Sequence, residues 1–251
     1  MRILETENLC RSFGGLKAVD CLAVDIEEAR ITALIGPNGA GKTPAFNIIT
    51  GVLPPSSGTV RFRDSDITGR PPHRIAALGI ARTFQNIRIF PAMSVIENVM
   101  IGLHCRSSHE FLATALRLPG VGREEEFIRV EARRELEFVG LGDLANTQAG
   151  GLPFGFQRIL EIARALATNP KLILLDEPAA GLNTQETLAL GDLIRRILAR
   201  GVTVFLVEHD MELVMKISHD VIVLDNGRLI ARGTPSRSEE RRVGKECRSR
   251  W

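Results

Sequence analysis

A glycine-rich segment near the start of the chain has the residue types and spacing that bind phosphate. It runs Gly36-Pro37-Asn38-Gly39-Ala40-Gly41-Lys42-Thr43 and matches the phosphate-loop pattern G-x-x-x-x-G-K-[ST]. Glycines let the backbone wrap closely around a polyphosphate, so that successive N–H groups and a helix N-terminus face the anion. The lysine would reach the terminal phosphates of a nucleoside triphosphate, and the threonine hydroxyl would ligate Mg²⁺. We therefore expect this chain to bind a nucleotide.

The residues on either side of this loop predict the elements that must position it. The short apolar run Ile31–Ile35 suits a buried strand, and Ala45–Ile49 is a plausible first helix. Strand, glycine loop and helix is the structural context in which such a loop binds phosphate.

Two adjacent carboxylates form a second candidate for chemistry. The apolar run Leu172–Leu175 predicts a strand that ends in Asp176 and Glu177. In a parallel sheet, ligands bind at the carboxyl ends of strands, so this pair would lie beside the phosphate loop. One carboxylate can hold the Mg²⁺ shell while the other takes a proton from an attacking water. Alone the pair is a weak signal that could be a simple strand end, but together with the loop it favours triphosphate hydrolysis.

Strand and helix patterns alternate over the last third of the chain. Apolar runs at Val202–Val207 and Val221–Leu224 are separated from their neighbours by helical patterns at 185–199 and 211–217, which predicts a parallel sheet. Asp225-Asn226-Gly227-Arg228 predicts a hairpin with a type I′ turn. The first third is rich in strand patterns, and residues 94–144 read as a helical insertion.

Composition restricts the class of protein. The chain has 251 residues, 44% of them hydrophobic and 25% charged, which is ordinary for a globular protein. No apolar run approaches the ~18 residues of a membrane span and no signal-peptide pattern opens the chain, so we expect any membrane role to come through partner subunits.

The charge is unevenly distributed along the chain. Residues 236–251 hold six basic and three acidic residues, which is a net charge of +3. Because the whole chain has a net charge of +2, residues 1–235 have a net charge of −1. A near-neutral body gives little support for nucleic-acid binding. The unpatterned tail itself is predicted to be disordered or non-native.

The four cysteines, Cys10, Cys21, Cys105 and Cys247, form no metal-binding spacing. We predict that they are buried thiols in a reducing cytoplasm.

Further short motifs follow the phosphate loop in a fixed order. They are Thr83-Phe84-Gln85, then Leu152-Pro153-Phe154-Gly155-Phe156-Gln157, then Ala180-Gly181-Leu182-Asn183, and finally Glu208-His209-Asp210. With the phosphate loop and the Asp176-Glu177 pair, residues 2–235 resemble the ATP-binding-cassette ATPases, the motor subunits of ABC transporters. In that resemblance the four motifs correspond to the Q-loop, the signature, the D-loop and the switch histidine.

The resemblance implies roles for individual residues. Glu177 would be the general base, His209 would hydrogen-bond the γ-phosphate, and Gln85 would touch Mg²⁺ or the lytic water. The metal ligands would be Thr43, Gln85 and Asp176. The residues expected to contact ATP are Phe13, Gly36, Pro37, Asn38, Gly39, Ala40, Gly41, Lys42, Thr43, Pro44, Leu152, Pro153, Phe154, Gly155 and Asn183.

Simpler readings of some of these residues stay open. Gln85 could be a solvent-facing loop residue, His209 a neighbour of a helix cap, and Phe13 a plain core residue. Arg158 and Arg164 fit a helix surface or ion pairing, and we assign them no catalytic role.

The resemblance also implies an architecture and partners. The fold would be an α/β P-loop NTPase with a RecA-like core and an antiparallel β-subdomain (about 1–88 and 166–235), and an inserted α-helical subdomain (about 89–165). The signature, just before a helix at 157–167, would act on ATP bound to a second ATPase subunit, identical or not. The dimer would lie on the cytoplasmic face of the inner membrane, held by permease subunits and served indirectly by a periplasmic or extracellular solute-binding protein.

Several positions depart from the common family pattern. Pro44 replaces a Thr or Ser, Pro153 replaces the signature Ser, Phe156 stands where Gln is common, and Asn183 replaces Asp. The signature variant Leu-Pro-Phe-Gly and the D-loop variant Ala-Gly-Leu-Asn are similar to the corresponding motifs of the ATPases of branched-chain amino-acid importers. Because Pro44 lacks an N–H that would approach the α-phosphate, the alternative is an ATP-dependent dimerisation module with little turnover. A DNA- or ribosome-acting relative and a small-molecule kinase are less consistent with the motifs.

Overall fold

The computed structural model describes residues 1–104 and 121–235, which form two compact units. The first unit combines residues 1–80 with the chain from Lys171 onward, and the second is Ala81–Pro170. The predictions made for the 236–251 tail, for Cys105 and for Cys247 lie outside the described residues.

A four-stranded antiparallel sheet occupies the N-terminal part of the first unit. Its spatial order is β2-β1-β4-β5. The strands are β1 (Arg2–Phe13), β2 (Leu16–Glu27), β4 (Ser57–Phe62) and β5 (Ser65–Asp66). The long β1–β2 hairpin is buried on one face only, because alternate residues of a strand point to opposite sides. This sheet confirms the predicted antiparallel β-subdomain.

A six-stranded sheet carries the site. Its order is β10-β9-β3-β8-β7-β6, with β3 parallel to β8 and β9, and β7 parallel to β8. The strands are β3 (Ile31–Ile35), β6 (Ile80–Arg82), β7 (Leu172–Asp176), β8 (Thr203–Val207), β9 (Asp220–Asp225) and β10 (Arg228–Gly233). Every residue of β7 and β8 is buried, as expected for continuous apolar runs in the middle of a parallel sheet. The predicted α/β fold with a parallel sheet is confirmed.

Four helices of the first unit follow these strands. They are α1 (Lys42–Ile49), α2 (Pro72–Ala77), α6 (Thr184–Ala199) and α7 (Met211–Ile217). Helix α7 is capped by Asp210, whose side chain accepts a hydrogen bond of 3.0 Å from the Leu213 N–H. Phe46 of α1 packs on Phe205 of β8 with ring centroids 4.8 Å apart. The apolar faces of the helices thus bury the sheet that the site is built on.

The β9–β10 connection has the predicted geometry. Asn226 and Gly227 both have positive φ, 47° and 77°, as a type I′ turn requires. Gly227 also touches the phosphate loop, because its N–H donates to the Ala40 carbonyl at 2.9 Å.

The second unit is built mainly from helices. They are α3 (Val95–His104), α4 (Val121–Val139), two 3₁₀ turns (Gly142–Leu144 and Ala149–Gly151) and α5 (Phe154–Ala167). The sequence predicts that helix α5 begins at Gln157, and this start is wrong by one turn because the helix begins at Phe154. Pro153 occupies the N-cap, where no N–H is needed, so the helix begins directly after it.

Within the described ranges, no helix combines the length and apolarity needed to cross a bilayer.

The burial predicted for Cys10 and Cys21 was wrong. Cys10 is half-buried and Cys21 is exposed. Their neighbours Leu9 and Leu22 pair across β1 and β2 and fill the core, so the two cysteines lie on the other side of the sheet.

Candidate nucleotide site

The phosphate loop joins β3 to α1, as the sequence predicts. Gly39 and Gly41 have φ of 81° and 97°, a left-handed conformation that glycine adopts without strain. Gly41 is the N-cap of α1, no side chain caps this helix, and its first turn holds no acidic residue. The positive end of the helix dipole is therefore not neutralised by side chains of the helix itself, which suits a phosphate.

Lys42 lies buried in this loop. Its Nζ donates hydrogen bonds to the carbonyls of Gly36 and Pro37 at 2.7 and 2.9 Å. Burial lowers the pKa of the Lys42 ammonium, and the negative charges of Glu177 and Asp176 oppose that shift. The structure thus brings the predicted phosphate-binding lysine into the electrostatic reach of both predicted carboxylates.

Glu177 and His209 meet at the carboxyl ends of β7 and β8. The Glu177 Oε1 and His209 Nε2 atoms are 2.8 Å apart. The Glu177 N–H donates to the Val207 carbonyl at 2.9 Å, which continues the strand ladder by one residue. Glu177 has φ of 49°, a strained conformation for a non-glycine residue and one that clusters at functional sites. His209 is therefore held against the carboxylate and is more than a neighbour of a helix cap.

The structure adds Glu208 as a positioning residue that the sequence analysis did not single out. Its buried carboxylate accepts hydrogen bonds from the N–H groups of Ala179 (2.7 Å), His209 (3.0 Å) and Asp210 (3.4 Å). Burial raises the pKa of Glu208, and these backbone donors oppose the shift. A glutamate directly after a strand that is apolar except for Thr203 was the signal that could have identified it.

Asp176 and Thr43 are hard oxygen donors in the first unit. Asp176 is the last residue of β7 and is 1% exposed, and Thr43 is an exposed residue in the first turn of α1. A carboxylate and a hydroxyl are ligand types that suit Mg²⁺, so the residues present fit the metal. The third predicted ligand, Gln85, is in the second unit.

Phe13 and Asn183 also lie in the first unit. Phe13 ends β1 with 48% of its surface exposed, and the Arg11 guanidinium carbon lies 4.9 Å from its ring centroid. That exposure excludes a plain core role for Phe13. Asn183 is the N-cap of α6 and forms a capping box with Glu186, with hydrogen bonds of 3.0 and 2.9 Å. Its side chain therefore has a structural task in addition to the predicted contact with ATP.

A buried ion pair holds the segment that contains Gln85. Arg158, 1% exposed, donates to the Phe84 and Gln85 carbonyls at 2.8 and 3.0 Å. Glu161, 3.5 Å from Arg158, accepts from the N–H groups of Phe84 and Arg88 at 3.2 and 3.4 Å. The ion-pairing interpretation of Arg158 is correct and the helix-surface interpretation is wrong. An Arg and a Glu three residues apart among apolar residues of one helix were the signal.

The signature residues form the start of α5. The Leu152 carbonyl accepts a hydrogen bond of 2.8 Å from the Gln157 side chain. Phe154 and Phe156 are exposed while Gly155 is buried. No side chain caps this helix and its first turn has no acidic residue, so the N–H groups near Gly155 form a second helix end suited to an anion.

Known proteins resemble this chain over nearly its whole length. The ABC transporter family model matches residues 19–180. The high-affinity branched-chain amino acid transport ATP-binding protein BraF of Pseudomonas aeruginosa is 45% identical over 234 residues, which cover 93% of this chain and 92% of that protein. A solved structure of a nucleotide-free ATP-binding cassette from an ABC transporter is 34% identical to this chain, with a TM-score of 0.84. The match covers 97% of this chain and 96% of the chain of that structure. A second solved structure, the ADP conformation of an ATP-binding cassette of an ABC transporter, is 36% identical with a TM-score of 0.82. The match covers 93% of this chain and 91% of the chain of that structure.

Two loop glycines allow a matched test of the phosphate loop. A Cβ at Gly41 would lie 2.4 Å from the Ala18 carbonyl oxygen, whereas one at Gly39 would meet no atom within 4 Å. Both positions have positive φ, so each alanine carries a conformational cost of about 1–2 kcal/mol. We expect Gly39→Ala to lower the free energy of unfolding by only that amount and Gly41→Ala by clearly more. Urea denaturation measures both, and equal losses would show that the contact with Ala18 is unimportant.

The buried ion pair gives a prediction with a pH dependence. Arg158→Met leaves the Glu161 carboxylate buried without its cation, which we expect to cost about 3–5 kcal/mol of unfolding free energy. Burial raises the pKa of Glu161 in the folded chain. The folded chain therefore tolerates the protonated Glu161 carboxyl better than the ionised one. The contribution of Glu161 to the free energy of unfolding falls as the pH rises through the pKa that this residue has in the folded chain. The loss in Arg158→Met should accordingly be larger at about pH 8 than at about pH 5.5.

An exposed ion pair of the first unit supplies the control. Arg195 lies 2.6 Å from Asp192, with side chains 42% and 72% exposed. We expect Arg195→Met to cost at most about 1 kcal/mol. Urea denaturation at both pH values measures the two variants, and a pH-independent loss in Arg158→Met would contradict the assignment to Glu161.

Proposed function

The chain belongs to the ABC transporter family, and from that premise we propose that it is the subunit that binds and hydrolyses MgATP to drive uptake of branched-chain amino acids. The observation that carries the hydrolytic part is the 2.8 Å contact between Glu177 and His209 at the strand ends. The substrate class is supported by the 45% identical relative, whose name specifies branched-chain amino acid transport.

Binding of the triphosphate would use the loop and its helix. Lys42 would exchange its hydrogen bonds to the loop carbonyls for the β- and γ-phosphates. The backbone N–H groups of Gly39, Gly41 and Thr43 would complete the cradle, with Phe13 exposed to stack on adenine. Thr43 and Asp176 of the first unit would hold Mg²⁺, which when bound supplies positive charge against the phosphates.

Hydrolysis would depend on Glu177 as the general base. The 2.8 Å contact with His209 holds its carboxylate at the strand ends, where it would take a proton from the attacking water. With a proton on Nε2, His209 donates to the carboxylate and fixes its orientation. Glu208 supports this arrangement because it holds the backbone N–H of His209.

The proposed assembly is a dimer of ATPase subunits. The uncapped start of α5, with Leu152, Pro153, Phe154 and Gly155, would face the γ-phosphate of ATP bound to the second subunit. Permease subunits would hold the dimer at the cytoplasmic face of the membrane, and a solute-binding protein would deliver the amino acid.

Turnover tests the role of Glu177. Glu177→Gln keeps the side-chain size and removes the base, so we expect the hydrolysis rate of the full chain to fall about 10²–10⁴-fold with MgATP still bound. The matched control is Glu212→Gln, an exposed glutamate of α7 whose replacement should leave the rate unchanged. Steady-state phosphate release and binding of a fluorescent ATP analogue separate the two effects. Bound nucleotide with no turnover in the unaltered chain would favour the alternative, an ATP-dependent dimerisation module.

Pro44 affects ligand binding more than it affects the helix. The first intrahelical hydrogen bond of α1 is donated by the Ala45 N–H to the Gly41 carbonyl at 3.0 Å. The N–H that Pro44 lacks would therefore have had no acceptor within the helix, and α1 loses no hydrogen bond to the proline.

Restoring the N–H at position 44 tests its effect on the ligand. A hydrogen bond to a charged phosphate contributes about 1.5–3 kcal/mol, so restoring an N–H should strengthen MgATP binding about tenfold to a hundredfold. Pro44→Ala restores the N–H alone, and Pro44→Thr adds the hydroxyl, so we expect affinity to rise in that order. Titration with the same analogue measures the dissociation constants. Unchanged affinity in both variants would show that position 44 does not contact the nucleotide.

A further inference from the structure

Two cysteine thiols face each other across β1 and β2. The Sγ atoms of Cys10 and Cys21 are 3.5 Å apart. Leu9 pairs with Leu22 one step along the ladder, and a bulge follows where Asp20 and Cys21 stand against Cys10. Cys21 is exposed, so a small molecule in solution can reach the pair.

We propose that Cys10 and Cys21 form a redox-active dithiol that a low-molecular-weight disulfide, such as glutathione disulfide, oxidises to an intrachain disulfide bond. The two sulfurs need to approach by only about 1.5 Å to reach bonding distance. The bulge makes that approach feasible, because Cys21, with φ of 49°, lies outside the regular ladder.

The surroundings of the two thiols differ and set the order of the reaction. The Cys10 sulfur accepts a hydrogen bond of 3.1 Å from the Cys21 N–H. Hydrogen bonding from Ser57, and then from that N–H, lowers the pKa of Cys10. The contact with Cys10 raises the pKa of Cys21. Cys10 is therefore the nucleophile, and Cys21 is the resolving thiol.

The exchange balances as two substitutions at sulfur. The Cys10 thiolate attacks the small disulfide, so a Cys10–S–S–R bond forms, the original S–S bond breaks and one RS⁻ leaves. Cys21 then loses its proton to solvent and attacks the Cys10 sulfur, which forms the Cys10–Cys21 bond and expels the second RS⁻. The protein loses two electrons, and the small disulfide gains them as two thiols.

A metal site is the alternative for this cluster, because the ligand atoms of Cys10, Asp20 and Cys21 lie within 4.8 Å of one another. The Asp20 carboxylate, however, already accepts hydrogen bonds from Arg228 at 2.8 and 2.6 Å and from Lys17 at 3.2 Å. These two cations satisfy the carboxylate and repel a metal ion. The two thiols that are left fall short of the four ligands of a structural zinc site.

The dithiol is connected to the phosphate loop through the backbone. The Asp20 N–H, next to Cys21, donates to the Gly227 carbonyl at 2.9 Å, and the Gly227 N–H donates to the Ala40 carbonyl at 2.9 Å. Closing the disulfide pulls on the β2 end of this chain of hydrogen bonds. A resulting change in nucleotide affinity is the part of the inference that rests on the proposed function.

The site itself is tested by peptide mapping of the full chain carrying Cys105→Ser and Cys247→Ser. Trypsin cleaves after Arg2, Arg11, Lys17 and Arg30, so it separates the two cysteines into peptides 3–11 and 18–30. After treatment with glutathione disulfide and alkylation of free thiols, we expect mass spectrometry to find these peptides joined, and a reductant to separate them. Peptides that are each alkylated, or each glutathionylated but not joined, would overturn the proposal.

Single variants in the same background test the order of reaction. In Cys21→Ser we expect glutathione on Cys10, since the resolving thiol is gone. In Cys10→Ser we expect Cys21 to be glutathionylated at least about threefold more slowly. The reverse order of rates would overturn the assignment of Cys10 as the nucleophile.

The connection to the loop is tested by titrating the oxidised and reduced forms with a fluorescent ATP analogue. We expect the two dissociation constants to differ at least threefold, and those of oxidant-treated and reduced Cys21→Ser to agree. Equal constants in a chain with the mapped disulfide would overturn the connection to the loop. No binding in either form would overturn the proposed function and leave the disulfide mapping as it stands.

Discussion

The parallel ladder between β7 and β8 is the constraint on which the site depends. It pairs Leu172 with Thr203 at one end and Asp176 with Val207 at the other, so both strands finish at the same edge of the sheet. The Glu177 N–H extends the ladder by bonding to the Val207 carbonyl. Because the side chains of a strand alternate, a slip of one residue would turn Asp176 away and separate Glu177 from His209. The burial of every residue in both strands makes such a slip costly, so the hydrophobic core fixes the position of the reactive carboxylate.

Buried carboxylates hold the irregular segments that follow these regular elements. In the first unit, Glu208 accepts hydrogen bonds from the backbone on both sides of the site, at Ala179 and at His209. In the second unit, Glu161 does the same for Phe84 and, with Arg158, fixes the backbone around Gln85. A loop backbone has no ladder to satisfy its N–H groups, and a buried acceptor supplies that partner. Both units therefore use a buried carboxylate to position a loop residue that is proposed to act on ATP.

The sequence was sufficient where a local pattern determines the structure. The phosphate loop, the apolar strands, the Asn226-Gly227 turn and the family could all be predicted, because each depends on residue types at fixed spacing. The start of α5 was misplaced by one turn, because an N-cap tolerates Pro153 and the helix begins directly after it. The distant partners of Glu208 and Arg158, at Ala179 and at Phe84 and Gln85, could not be predicted, since only the tertiary structure brings them together. Cys10 and Cys21 lie on the sheet face opposite Leu9 and Leu22, and composition does not reveal which face of a strand is buried.

Pro44 shows how a position can be neutral for the fold and still matter for the ligand. The first turn of any helix leaves N–H groups without internal acceptors, so a proline there removes nothing that the fold uses. A phosphate bound at that turn would be the acceptor of the same N–H groups, and it would lose one of them. Selection for stability alone would therefore not remove Pro44, whereas selection for tight nucleotide binding would. The free energy of unfolding and the nucleotide affinity are thus separable at this residue, which makes it the most direct probe of how the loop holds its ligand.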